Sequence, residues 1–180
     1  ADFVLSYIGS LGIRYRLKEM LQFFKQLQLI QPNAKFLFIT KSDTSQIKDL
    51  CQELQIDFKN IIIDSCNYQD IPNYIAVSHA SIFFIVTSFS GKAVSPTKQG
   101  EIMSLGLLIV CNADLGDSDT ILKLTKTGIV PNDYSIEALR QGAKDLLAFS
   151  ATPQEIENAA ADYFSLEKAV EKYHSVYQNL

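Results

Sequence analysis

Cysteine is scarce in this chain. Three are present, Cys51, Cys66 and Cys111, and an odd number cannot close a disulfide framework. Their spacings (66 − 51 = 15 and 111 − 66 = 45) match no zinc-ligand pattern. The expected setting is a reducing compartment, the cytoplasm. Two histidines, His79 and His174, are too few for a His-rich metal site. Long apolar runs are missing as well. The longest, Ile82 to Val86, falls far short of the ~20 residues a membrane helix needs, and no signal peptide is visible. A basic surplus is also lacking. Net charge is −4 and the pI about 5.1, which excludes a broad electrostatic surface for nucleic acid or anionic lipid. Any anionic ligand must be gripped locally, by a few cations or by helix N-termini.

What the sequence does hold is core. Apolar residues make up 47% of its 180 positions and charged residues 20%, with mean hydropathy +0.07. That is globular composition, at a length that suits a single domain over residues 1–180. The chain runs from Ala1 almost directly into an apolar strand, so a fragment of a longer protein is expected.

Strand and helix patterns alternate. Phe3–Ile8 is a short apolar run ended by Gly9, hence a strand. Arg16–Leu29 carries apolar residues at helical spacing. Strands follow at Lys35–Thr40, Asn60–Asp64, Ile82–Thr87, Leu107–Cys111 and Gly128–Val130. Helices are expected at Thr44–Leu54 with Asp43 as N-cap, at Ile71–Val77, at Thr97–Leu105 ended by Gly106, and at Asp119–Thr125. Ser135 to about Gln178 reads as two or three helices broken near Ser150–Pro153. Near-continuous apolar strands separated by helices imply a parallel sheet covered on both faces. With right-handed crossovers this is an α/β, Rossmann-like, doubly wound domain of about six strands with a helical C-terminal tail. Ligands of such folds bind outside the carboxyl ends of the strands. The search for chemistry therefore narrows to Gly9–Tyr15, Thr40–Asp43, Ser65–Asp70 and Ser88–Thr97.

The loop Gly9-Ser10-Leu11-Gly12 lets backbone approach an anion at a helix start; a plain tight turn is the alternative. It is not the dinucleotide fingerprint, because the intervening glycine is missing. No acidic residue closes the second strand, where Thr40-Lys41 stands. A nicotinamide cofactor is thereby disfavoured, and Lys41 becomes a candidate cation at the rim. The most informative stretch is Ser95-Pro96-Thr97-Lys98-Gln99-Gly100-Glu101. Pro96 can start a helix, with Ser95 as candidate N-cap and Thr97 and Lys98 in the first turn. A lysine there opposes the helix dipole unless an anion joins it. Glu101 follows Lys98 by three residues, so the two can share a face. A cation for phosphate beside a carboxylate for hydroxyls is what a nucleotide diphosphate and its ribose demand. An ordinary i, i+3 surface ion pair explains the same spacing.

Ser95–Cys111 resembles the C-terminal nucleotide-sugar-binding domain of GT-B glycosyltransferases, in the family-four (group one) branch. The carriers are Glu101 entering a helix and the passage Ser104-Leu-Gly106-Leu-Leu-Ile-Val110 into a strand. Tyr7-Ile-Gly9-Ser-Leu-Gly12 is similar to the loop that opens such domains, Ala34–Thr40 to their second strand, and Ile71-Pro-Asn-Tyr-Ile75 to a later short helix. Gly116-Asp117 after the fifth strand also fits. The resemblance implies a retaining sugar transfer from a nucleotide diphosphate sugar, used as donor substrate with no separate cofactor and no metal. It implies Glu101 on the donor ribose, Lys98 with the Gly9, Ser10 and Gly12 loop on the diphosphate, and the Ser65–Tyr68 loop, with Asn67 and Tyr68, on the base. It also implies a missing N-terminal acceptor-binding half, through which alone any membrane association would come. The fragment by itself should bind nucleotide weakly and transfer nothing.

Two departures stand out. The family's Glu-x7-Glu pair requires a carboxylate at 101 − 8 = 93, and position 93 is Ala; Lys92, Ser95 or Thr97 are the candidates for that space. The cations that often grip the phosphates have three candidates here, Arg14, Arg16 and Lys18. The alternative function is a non-catalytic nucleotide-sugar-binding or degenerate transferase module. An isomerase of the same architecture would need acid–base groups that the sequence does not place together. Phe89-Ser90-Gly91-Lys92 reads as a mobile cover or a plain loop. His79 reads as structural, the cysteines as core, and His174 as solvated.

Overall fold

The computed structural model describes residues 2–88 and 94–179. Six parallel strands form one sheet: β1 (Val4–Ile8), β2 (Lys35–Ile39), β3 (Ile61–Asp64), β4 (Ala80–Phe83), β5 (Leu108–Cys111) and β6 (Gly128–Ile129), in the order β3-β2-β1-β4-β5-β6. The expected doubly wound, Rossmann-like α/β fold is the one observed. Helices α1 (Leu17–Ile30), α2 (Ser45–Glu53), α3 (Ile71–Ile75), α4 (Thr97–Met103) and α5 (Ser118–Thr125) lie between the strands. Three more follow, α6 (Ile136–Leu147), α7 (Pro153–Phe164) and α8 (Leu166–Gln178). The sheet winds outward from β1 in both directions, so right-handed crossovers place the helices of its two halves on opposite faces. The packing agrees: α6 lies along α1, and α7 along α4 and α5.

β1 is buried on both faces, as its place between β2 and β4 requires. Leu5 and Tyr7 have no exposed surface, and the buried Ser6 donates to the Ala80 carbonyl while Ser81 donates back to the Ser6 carbonyl. Those paired hydroxyls satisfy polar groups that burial would otherwise penalise.

One element departs from expectation. The fourth strand is Ala80–Phe83, two residues earlier than the apolar run Ile82–Thr87 suggests. Ala80 and Ser81 pair with Leu5 and Ser6, since small residues suffice where the ladder is flanked by bulk. Beyond Phe83 the chain leaves the sheet. The Phe84 carbonyl accepts from Arg16 N–H, Ile85 forms a lone antiparallel bridge with Tyr15, and Ile85 N–H donates to Asn112 Oδ1. The segment is apolar because it is buried against the α1 entry, not because it is strand.

Two cap assignments also change. Asp43 does not cap α2. It folds back on Ser45, accepting from its N–H and its hydroxyl, while Thr44 holds the cap position. The α4 cap position belongs to Pro96, with no side-chain cap bond, so Ser95 is not the N-cap. The tail is three helices. Its first break, at Ser150–Pro153, is where expected, with Thr152 and Glu155 forming a reciprocal capping box; its second falls at Ser165.

Packing of α7 fixes α4, the helix that bears Lys98 and Glu101. A Cβ on Gly100 would come within 2.8 Å of Phe164 Cγ and 2.9 Å of its Cβ, atoms near the backbone of α7 that cannot swing aside. Gly100→Ala should therefore lower stability by about 1 kcal/mol despite alanine's better helix propensity. A urea midpoint shifted upward would contradict this packing.

Candidate functional site

The site lies at the carboxyl edge, where the winding reverses between β1 and β4. Glycine 9 ends β1 with φ +137° and donates its N–H to the Ile39 carbonyl at 3.1 Å. The loop beyond it is tied to the β2 exit, since Leu11 N–H donates to Ser42 Oγ at 3.0 Å and Ser42 N–H to Thr40 Oγ1 at 3.1 Å. Tyr7 donates its hydroxyl proton to the Ser10 carbonyl.

Lys98 reaches back from α4 into this edge. Its Nζ donates to the Ile8 carbonyl at 3.1 Å and to Tyr15 Oη at 3.3 Å. It sits 4.3 Å from the Tyr15 ring centre and 5.1 Å from that of Tyr7, within cation–π reach. Burial pushes the ammonium's pKa below the usual lysine value, partly offset by Tyr15 and Glu101. Among the described residues no carboxylate lies within 4 Å of it. The simple i, i+3 ion pair is therefore not formed. Glu101 is exposed and engaged elsewhere. Its Oε1 accepts from the Tyr68 hydroxyl at 2.7 Å, a bond that holds the tyrosine's pKa above its ordinary value.

Three hollows meet around Ile8 and Lys98. One, of about 400 Å³, lies between α3 and α4 and has Ile8, Tyr68, Ile71, Lys98 and Glu101 in its wall. A second, of about 360 Å³, is lined by Gly9, Ser10, Lys41, Ser42, Cys66 and Tyr68. A third, of about 450 Å³, is lined by Arg14, Tyr15, Ser95, Thr97 and Lys98. The fold thus brings together Glu101, Lys98, Thr97, Ser95, Gly9, Ser10, Tyr68 and Lys41.

Two expected residues stand apart. Asn67 is exposed, and among the described residues only its backbone carbonyl is engaged, by Asp70 N–H. Gly12 is exposed, and a Cβ there would meet nothing within 4 Å, so packing does not require glycine. The phosphate-gripping candidates also separate. Arg16 is committed to Glu19 at 2.8 Å and to the Tyr134 ring at 4.6 Å, and Lys18 pairs with Glu53. Arg14 alone of the three faces a hollow of the site. Lys92, Ala93 and the proposed cover Phe89–Lys92 lie outside the described residues.

Tyr15 was not visible as a site residue in the sequence. It occupies no periodic pattern, and only the bridge to Ile85 brings it over Lys98. Cys66 also differs from expectation: it is half-buried in the wall of the second hollow, whereas Cys51 and Cys111 are core. Burial raises the Cys51 thiol to about 11. His79 is structural as expected, its Nδ1 accepting from Val4 N–H and its ring stacking on Phe3. His174 is exposed on α8. Among the described residues no cluster of three or more His, Cys, Asp or Glu side chains stands where it could hold a metal ion, and no helix is long and apolar enough to cross a membrane.

This chain matches the family model described as "Glycosyl transferases group 1" over residues 1–163. The chain belongs to the group 1 glycosyl transferases. The matched span includes every strand and ends within α7; α8 lies beyond it. No curated protein matches this glycosyl transferase chain by sequence. Solved structures share its fold at low identity. The lipopolysaccharide outer core galactosyltransferase WaaB is 14% identical with TM-score 0.77, covering 100% of this chain and 50% of its own. WaaG, a glycosyltransferase involved in lipopolysaccharide biosynthesis, is 16% identical with TM-score 0.76, covering 97% and 46%. HepE of Anabaena, solved in complex with UDP, is 12% identical with TM-score 0.76, covering 99% and 49%. This glycosyl transferase chain thus spans about half the length of the solved structures it matches.

Proposed function

We propose that this chain, residues 1–180, is the donor-binding C-terminal half of a retaining GT-B glycosyltransferase of family four. It binds a nucleoside diphosphate sugar as donor substrate, uses no separate cofactor, and acts in the cytoplasm beside an N-terminal acceptor-binding half. The observation that carries this reading is the partly buried Lys98 ammonium, held by a carbonyl and a hydroxyl, with no carboxylate within 4 Å among the described residues. Partial desolvation disfavours a cation with no anion beside it, and a diphosphate entering the adjoining hollows offsets that cost. Four carboxyl-edge segments converge there, which suits an elongated ligand.

Lys98 and the Gly9–Ser10 loop meet the diphosphate, with Arg14 and Lys41 on its flanks. Glu101 accepts from the ribose hydroxyls. Tyr68, already bonded to Glu101, orients that carboxylate as well as bordering the base. Leaving-group charge that develops on the diphosphate is met by fixed donors, which need no reorganisation as the bond breaks.

Calorimetric titration with UDP, GDP and their sugars tests this reading. Glu101→Ala should weaken binding of the preferred nucleotide at least about tenfold, the scale of a hydrogen bond to a charged group. Equal affinity in both proteins would remove Glu101 from the site. Ala93, in place of the family's first Glu, favours the second reading, a donor-binding module without turnover. Robust transfer by the longer protein, lost in Lys98→Ala, would dismiss that second reading.

A further inference from the structure

We propose that Tyr15 is the positioning residue of this site, holding the Lys98 ammonium at the end of β1, where it meets the anionic part of the donor; the ligand half of this inference rests on the donor-binding reading above. The geometry begins with the backbone. Tyr15 N–H donates to the Gly12 carbonyl at 3.0 Å, Arg16 N–H to the Phe84 carbonyl at 2.9 Å, and Val86 N–H to the Arg14 carbonyl at 2.8 Å. Residues 14–16 are thus stitched to residues 84–86 and cannot drift. The Tyr15 ring stands edge-on to the buried Tyr7, with centroids 5.8 Å apart at 77°. That leaves the Tyr15 hydroxyl fixed, 3.3 Å from Lys98 Nζ.

Lys98 has a long, flexible stem whose rotamers are costly to freeze. Two acceptors define where its charge sits. The Ile8 carbonyl belongs to the sheet and is always present; the Tyr15 hydroxyl is the part that a side chain adds. The titratable groups facing the ammonium are Tyr7 from β1, Tyr15 from the loop and Glu101 from its own helix. Of these, only Tyr15 is bonded to it. Removing the hydroxyl while keeping the ring leaves the cation–π contact and deletes one acceptor. The ammonium then loses stabilisation of its charged form, and its position over Gly9 is no longer fixed.

The test uses Tyr15→Phe in the 180-residue chain with two readouts. The first is the pH titration of the Lys98 Cε resonance, assigned with Lys98→Arg, without ligand. The midpoint should move down in Tyr15→Phe, because an acceptor of the ammonium is gone. The second is calorimetry with UDP and GDP, whose better binder should weaken about fivefold. An unmoved midpoint, with nucleotide binding intact, overturns the role of Tyr15 alone. Failure of the wild type to bind either nucleotide overturns the donor reading, while the titration still decides whether Tyr15 holds Lys98. If Tyr15→Phe does not fold, the link is read from the other side. The Tyr15 Cζ resonance should shift in Lys98→Met, and a resonance that stays in place overturns the contact.

Discussion

Lys98→Met should abolish most nucleotide binding and at the same time raise the melting temperature. The two effects share one cause. Burial holds the pKa of Lys98 below that of a lysine in the unfolded chain, about 10.4. The folded state therefore grips this proton less tightly than the unfolded state does. Stability is reduced by the charge at neutral pH and recovers as pH climbs through the lowered folded value towards the unfolded one. Methionine fills similar space against the rings of Tyr7 and Tyr15 without a charge to desolvate. The Ile8 carbonyl and Tyr15 hydroxyl lose a donor, but both border hollows that water can enter. The expected gain is about 1 kcal/mol, or about 2–4 °C at this chain length. The expected loss in affinity for UDP or GDP is at least about tenfold, that of a charge-assisted bond to phosphate. Melting curves at pH 7 and pH 10 give the decisive comparison, since the gap between variant and wild type should narrow at the higher pH. A lower melting temperature for the variant at pH 7 would mean that the cation is a net stabiliser, and the case for an absent anion would fail.

Gly9→Ala should cost about 2–4 kcal/mol. Gly9 has φ +137°, a region that side-chain-bearing residues scarcely enter. An added Cβ would also lie 2.9 Å from Lys98 Nζ and 3.4 Å from Tyr7 Oη. Strain and displacement of the ammonium add together, and nucleotide affinity should fall with stability. The two parts separate in a double-mutant cycle. With Lys98→Met already present, Gly9→Ala should cost less, because the ammonium is no longer there to be displaced. Gly12→Ala is the matched control. Open space surrounds that position, and its urea midpoint should equal that of the wild type within about 0.5 kcal/mol. Additive effects at Gly9 and Lys98 would show that the loop and the lysine do not meet.

Lys98 in its first-turn position can be read as half of a surface ion pair or as a ligand grip, and spacing alone cannot separate them. The structure separates them, because Glu101 is taken by Tyr68 and Lys98 by Ile8 and Tyr15, residues 33, 90 and 83 positions away. The requirement for glycine at position 9 was legible as a loop signal. Its causes were not, since they are the φ of +137° that the assembled edge imposes and an ammonium delivered from α4.

By itself the sequence determined the layered α/β fold, the parallel sheet and the strand ends at which chemistry could occur. Those follow from local apolar period and turn residues, which each segment carries within itself. It also determined which residue types were on offer at those ends. The tertiary structure decided the fourth strand's true bounds, the separation of Arg14 from Arg16 and Lys18, and the entry of Tyr15 into the site. Each of these depends on which distant backbone group claims a hydrogen bond or which cavity wall a side chain meets. Such pairings exist only once the sheet has assembled.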